Sequence, residues 1–261
     1  MNKIEFYKYT AQGNDYIYLD LFSKQLKIPD FRNFVRKISE RHFGVGADGV
    51  VLIIPHKEYD AEMRMYNANG SEGTLCGSAL RCVTHFLKTV KYPLKNKFHI
   101  LTKAGAKLSE TGDDNPQLVK SEIGKPKFLN KKIQTFNSID GYTVINGNKH
   151  FVTFNKLKEN WQVPGEKITQ LGYNFQYAKL ISKQEIELRI FEIGSGATLA
   201  CGTGAVATAY TAMEIFYAES RVVLKMPGGN VKVEKSKNGM FSLEGKVSLI
   251  YQGKYFYQNE I

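Results

Sequence analysis

Cysteine is scarce in this 261-residue sequence, with three residues at positions 76, 82 and 201. An odd, sparse set with no Cys-x-x-Cys pair and no neighbouring histidine cluster excludes a disulfide framework and a structural zinc site. Cys76 and Cys82 stand six positions apart (82 − 76 = 6), or about 9 Å along a helix axis, which exceeds the reach of a disulfide. They are not expected to pair. Long apolar runs are also missing: stretches such as Val50 to Ile54 fall far short of the roughly 20 residues that span a bilayer. The first residues, Met1-Asn2-Lys3-Ile4-Glu5, place charge where a secretory leader carries an unbroken apolar core. No membrane partner is expected, and the expected location is the cytoplasm. No low-complexity segment interrupts the chain.

What is present suits a folded enzyme-sized protein. At roughly 100–200 residues per domain, the length fits two modest domains or one large one. Hydrophobic residues make up 43% and charged residues 23%, with 16 Phe and 15 Tyr, enough to bury real cores and to exclude intrinsic disorder. The formal charge of +11 makes a basic nucleic-acid-binding protein the alternative of another class. Against it, the lysines scatter singly and in pairs (Lys24, Lys27, Lys95, Lys97, Lys125, Lys127). Neither aromatic interleaving nor a nucleic-acid motif accompanies them, so no nucleic-acid partner is expected.

The chain says nearly the same thing twice. Asn67-Ala68-Asn69-Gly70-Ser71-Glu72-Gly73-Thr74-Leu75-Cys76-Gly77-Ser78 is built like Glu192-Ile193-Gly194-Ser195-Gly196-Ala197-Thr198-Leu199-Ala200-Cys201-Gly202-Thr203. The two cysteines lie 201 − 76 = 125 residues apart, close to half the chain. After each, apolar residues recur at helical spacing: Ala79, Leu80, Val83, Phe86, Leu87 and Val90, then Ala205, Val206, Ala209, Tyr210 and Met213. Before each comes an alternating stretch, Glu62–Tyr66 and Glu187–Phe191, that reads as a strand. The repeated unit is strand, glycine-rich turn, cysteine, helix. A further helix is expected near Phe31–Arg41. Short strands are expected at Ile4–Tyr9, Tyr16–Asp20, Val50–Ile54, Phe98–Thr102, Leu118–Glu122, Phe151–Phe154, Tyr177–Ile181, Val222–Met226, Val231–Glu234 and Phe241–Val247. The composition shift at Thr111–Pro116 marks a boundary between a first domain, 1–116, and a second, 117–249, with 250–261 able to return to the first.

A cysteine at a helix N-terminus sits where unpaired amides and the helix dipole stabilise negative charge, so a reactive thiolate is reasonable at Cys76 and Cys201. The amides of Gly77-Ser78 and Gly202-Thr203 can receive an anion, of which a substrate carboxylate is the simplest. If two such helices face one another, one thiolate removes a Cα proton while the opposite thiol returns one to the other face. Such chemistry needs no cofactor and no metal, provided the carbanion is stabilised by amides in a cleft that excludes water. A lone cysteine is more often a buried, inert hydrophobe, and Cys82 keeps that reading. The matched setting argues against it for the other two.

At these residues the sequence resembles the diaminopimelate epimerase family of cofactor-independent, two-cysteine amino-acid racemases. Gly13-Asn14-Asp15, Gly44-Val45-Gly46-Ala47-Asp48-Gly49, Asn67 to Gly77, Gly147-Asn148-Lys149-His150, Glu192 to Gly204 and Pro227-Gly228-Gly229 carry the resemblance. It implies an α+β fold of two pseudo-symmetric domains, each a mostly antiparallel sheet curled around a central helix, with the active site between them, and a homodimer. By the same resemblance Cys76 and Cys201 are the acid/base pair, and Asn14 and Glu192 orient the reacting amino acid. Asn67, Asn148 and Asn174 line the distal end of the substrate, and Gly77, Ser78, Gly202 and Thr203 hold its α-carboxylate. Three positions depart from the family. The arginine that grips the distal carboxylate of diaminopimelate is here Ile193, Cys-Gly-Asn-Gly is Cys76-Gly77-Ser78-Ala79, and the proline of Gly-Asn-Pro-His is Lys149. Isoleucine cannot replace a bidentate guanidinium, and a buried unpaired carboxylate is costly. A polar but neutral side chain fits better. Because the family includes histidine racemases, the resemblance implies histidine as the expected substrate, its ring served by three carboxamides and packed by Ile193, with diaminopimelate as the alternative. Lys149 could supply a point charge to a distal carboxylate. Proline racemases carry an Asp-Arg-Ser-Pro-Cys pattern that Leu199-Ala200-Cys201 lacks.

Overall fold

A computed structural model describes residues 2–23, 26–157 and 160–257. It divides into two compact units, residues 1–121 with 246–261, and 122–245. The division falls inside a strand, later along the chain than the turn at 111–116, and the C-terminal strand belongs to the first unit.

Strands carry most of the fold because short alternating segments separated by glycine-rich turns bury one face each. In the first unit β1 (Asn2–Ala11) pairs antiparallel with both β18 (Ser248–Tyr257) and β2 (Asn14–Asp20). A crossover through α1 (Phe31–Ser39) sets β3 (Gly49–Ile54) parallel to β2, and β4 (Ala61–Asn67) pairs antiparallel with β3. The short β5 (Glu72–Gly73) folds back on β4. A second crossover through α2 (Gly77–Phe86) sets β6 (Lys97–Thr102) parallel to β4, and β7 (Gly105–Thr111) and β8 (Leu118–Gly124) follow antiparallel.

The second unit repeats that order. β9 (Lys127–Phe136) and β11 (Asn148–Thr153) flank β10 (Ile139–Asn146), and α3 (Gln162–Gln170) crosses to β12 (Asn174–Ser182), parallel to β11. β13 (Glu185–Glu192) pairs antiparallel with β12 and carries the short β14 (Gly196–Thr198). Then α4 (Gly202–Ile215) crosses to β15 (Arg221–Met226), parallel to β13, followed by antiparallel β16 (Gly229–Lys235) and β17 (Phe241–Lys246). Each unit is therefore a mostly antiparallel sheet with parallel joints only where a helix crosses over.

The two central helices fill these sheets. All ten residues of α2 are buried, packed on β1, β2, β4 and β7. A helix covered on every side must satisfy its polar side chains internally: Thr84 donates to the Leu80 carbonyl at 2.9 Å and bonds to the Ser109 hydroxyl at 2.7 Å. In α4 the fully buried Ala205, Ala207, Ala209 and Ala212 let strands approach closely, while Thr208 and Thr211 donate back to the carbonyls of Gly204 and Ala207. The apolar spacing after Cys76 predicts a stripe reaching Val90, but a π-helical turn at Leu87–Lys91 follows α2. The extra residue rotates the succeeding positions, and Val90 is exposed.

Candidate active site

Cys76 and Cys201 occupy the same local position. Each is the residue just before a central helix, in extended backbone, with φ −126° and ψ 118° at Cys76 and φ −140° and ψ 116° at Cys201. This is the N-cap geometry, in which a side chain points at the amides of the first turn.

In the first unit Asn14 opens β2 after Gly13, whose φ of 82° suits glycine. Its Nδ2 donates to the Cys76 sulfur at 3.5 Å. Cys76 is half-buried, whereas Gly77 and Ser78 are buried in the first turn of α2. Asn67 stands at the end of β4, exposed, with its Nδ2 donating to the Ser71 hydroxyl at 3.0 Å. It shapes the turn into β5, where Gly70 N–H donates to the Asn67 carbonyl at 2.8 Å. Asn14, Cys76, Gly77 and Ser78 are thus brought together, and Asn67 is held by its own turn.

In the second unit the Gly204 N–H donates to the Cys201 sulfur at 3.4 Å, and the Thr203 hydroxyl lies 3.4 Å from it. A Cβ at Gly204 would come within 2.8 Å of the Gln176 side-chain nitrogen, so the first turn of α4 needs glycine there. Burial pushes the Cys201 thiol well above its ordinary value, and the neighbouring Glu192 carboxylate pushes it further; the Thr203 and Gly204 donors oppose both. Glu192 ends β13, half-buried, and its Oε1 accepts from the Thr198 hydroxyl at 2.6 Å. Asn174, buried at the start of β12, accepts the Ile193 N–H on its Oδ1 at 2.9 Å. That bond fixes the turn that follows Glu192. The Ile193 side chain itself is 51% exposed. Asn148 is exposed at the start of β11, and the Lys149 ammonium lies 6.0 Å from the centre of the Tyr173 ring.

Several residues that shape these turns are not singled out by sequence reasoning. Asn146 is buried at the end of β10, and its Nδ2 donates to the Thr203 carbonyl at 3.1 Å, securing the first turn of α4. His150 and Gln176 are fully buried beside one another, and burial lowers the imidazole to about 4. In the first unit Arg81 is buried inside the apolar α2 and bonded to Gln12. The available signal is an arginine between Leu80 and Cys82, at a position where the apolar spacing of the helix leaves no solvent face. Cys82 lies in the hydrophobic core, where burial pushes its thiol up to about 12, the behaviour of an inert cysteine. Among the described residues no group of three or more His, Cys, Asp or Glu could hold a metal ion, and no helix is long and apolar enough to cross a membrane.

Solved structures place this fold among known ones. The chain superposes on a Bacillus anthracis phenazine biosynthesis protein of the PhzF family with a TM-score of 0.76 at 16% identity, covering 98% of this chain and all of the other. A hydroxyproline epimerase from Agrobacterium vitis superposes with a TM-score of 0.71 at 12% identity, covering 97% and 92%. The fold is thus shared with isomerases of the racemase and epimerase class.

Sequence comparison is more specific. The diaminopimelate epimerase family model matches residues 6–129 and 142–250, and the chain belongs to that family. The diaminopimelate epimerase of Methanococcus maripaludis strain C6 is 32% identical, covering 96% of this chain and 99% of its relative. That of Acetivibrio thermocellus is also 32% identical, over 96% and 98%. The chain is an isomerase of the racemase and epimerase type.

Proposed function

We propose that this protein inverts the α-carbon of a free amino acid by a two-thiol acid/base mechanism, with Cys76 and Cys201 as the exchanging groups. The observation that carries the reading is the pair of cysteines in matching N-cap backbone at the starts of the two central helices. One thiolate takes the Cα proton, breaking the C–H bond and forming S–H, and the other thiol gives its proton to the opposite face. The two roles exchange with reaction direction. No cofactor takes part. The first-turn amides at Gly77-Ser78 and Gly202-Thr203 receive the α-carboxylate and the charge that develops on it. Asn14 and Glu192 orient the reacting centre, Glu192 against the substrate ammonium, while Asn67, Asn148 and Asn174 border the distal side chain.

Diaminopimelate is the proposed substrate, because curated relatives at 32% identity over nearly the whole chain carry that activity in their names. Lys149, held over Tyr173 next to Asn174, offers the distal carboxylate a point charge. A second reading, histidine, is favoured by one observation: the position of the family's distal-carboxylate arginine is Ile193. Incubation in deuterated buffer with L,L-diaminopimelate and with L-histidine, without pyridoxal phosphate, separates them. Cα exchange of diaminopimelate that is lost in Cys76→Ala and in Cys201→Ala supports the proposal. Exchange of histidine alone transfers the substrate to the second reading, and exchange of neither overturns the enzyme. The proposal includes a cytoplasmic homodimer. Light scattering at about twice the 29.5 kDa chain mass supports the dimer, and the single chain mass removes it.

A further inference from the structure

Arg81 is 1% exposed, in the second turn of α2 with its guanidinium reaching back to the first, and no carboxylate among the described residues forms an ion pair with it. Its Nη1 donates to the Gly77 carbonyl at 3.1 Å, and its Nη2 donates to the Gln12 side-chain oxygen and, at 3.4 Å, to the Ser78 hydroxyl, while Nε has no partner. Gln12 is itself held in the left-handed region at φ 52° and donates to the Lys246 carbonyl at 2.8 Å. This placement is costly twice over. A buried guanidinium stays charged and needs a compensating anion, and cations are disfavoured at the positive end of a helix.

The titratable groups facing α2 are Cys82 and His85 on the helix, Tyr16 and Tyr18 on β2, and Tyr7 and Tyr9 on β1, with Cys76 at the N-cap; a phenol is neutral at neutral pH. Histidine carries no negative charge. Burial pushes Cys82 up to about 12, Tyr9 above that and Tyr18 well above its ordinary range, so these three are neutral at neutral pH. Cys76 remains, with Asn14 Nδ2 also directed at its sulfur. In the second repeat the residue five positions after the cysteine (81 − 76 = 206 − 201 = 5) is the fully buried Val206. That side has no such cation.

We infer that Arg81 is a positioning residue whose buried charge, steered by Gln12, holds Cys76 as the thiolate of the resting protein and so makes it the base that is ready before substrate arrives. The use of that thiolate in turnover rests on the proposed function, but its charge state does not and can be read without substrate.

The test is the pH dependence of iodoacetamide alkylation at Cys76, followed by peptide mass mapping of the folded, ligand-free protein. Wild type is expected to react with a midpoint below the ordinary thiol value of about 8.5. Arg81→Met should raise that midpoint and slow alkylation at pH 7 by about tenfold, equivalent to about one pH unit, whereas Arg81→Lys should restore most of the rate. Where Arg81→Met does not fold, Gln12→Glu serves. A carboxylate there pairs with the guanidinium in place, so the midpoint should rise while the fold is kept. A wild-type midpoint at the ordinary value, or one unmoved in folded Arg81→Met or Gln12→Glu, overturns the inference. A shifted midpoint in a protein that exchanges no amino acid would sustain Arg81's role and remove the proposed function instead.

Discussion

Cys76 and Cys201 share a backbone conformation but not an environment. Asn14 donates to the first sulfur, whereas the second is buried beside the Glu192 carboxylate, which raises its thiol above what burial alone does. Removing that negative charge lowers the cost of the thiolate, so Glu192→Gln should speed alkylation of Cys201 at neutral pH several-fold, on the order of a fraction of a pH unit to one unit. Rates measured by peptide mapping check this, and an unchanged Cys201 rate contradicts it. Glu192 is singled out in the sequence by the family resemblance alone, since a glutamate at a strand end otherwise reads as a solvated charge. Its hydrogen bond from Thr198 is not legible there, because that contact depends on how β14 folds back on β13.

At the scale of elements, each central helix starts where a turn from another strand meets it. The β10–β11 hairpin turns at Gly147 and brings Asn146 to the Thr203 carbonyl. Asn146→Ala removes a buried hydrogen bond made in addition to the helix's own, which should destabilise the protein by about 0.5–1.5 kcal/mol. Urea denaturation reads the loss, and an unchanged midpoint would show that Asn146 secures nothing. The strand, turn, cysteine and helix unit is legible in the sequence because its apolar spacing and glycine clusters are local. Other elements are not, β7 and β10 among them, and three show why. β9 and β18 are largely exposed on both faces, so neither shows the alternation that marks a half-buried strand. α3 contains Pro164 and Gly165, which read as breakers. Yet Pro164 lies in the first turn, where its missing N–H costs nothing. Gly165 is there because a Cβ would come within 2.8 Å of Phe191, where α3 packs on β13. The turns Gly13-Asn14 and Gly147-Asn148 are picked out in the sequence by the family resemblance, but their role in presenting side chains to helix starts is a long-range fact.

For the molecule as a whole, the buried histidines tie stability to pH. His150 is neutral in its buried site, with its value lowered from 6.5 to about 4, and His85 is lowered in the same direction, also by burial. The unfolded chain therefore binds protons that the folded one refuses, so the contribution is complete above about pH 6.5 and is lost as pH falls towards 4. For His150 the loss should reach about 3 kcal/mol at most. Denaturation midpoints should fall across that window in wild type and fall less in His150→Gln; equal slopes in the two would contradict the assignment. The same molecule-wide view applies to the repeat, since the order of strands and crossovers is the same in both units. The duplication gives two equivalent cysteine positions. Their unlike neighbours give the two sulfurs the different surroundings that the proposed base and acid roles require.

The most direct measurement follows isotope at the α-carbon during the first part of one turnover series in deuterated buffer, starting from the L,L or L isomer. With one thiol removing the proton and the other delivering a solvent-derived one, the inverted product should carry deuterium from the outset while recovered substrate stays fully protonated. Deuterium appearing in recovered substrate as early as in product would mean that a single group handles both steps, and the two-cysteine account would be contradicted.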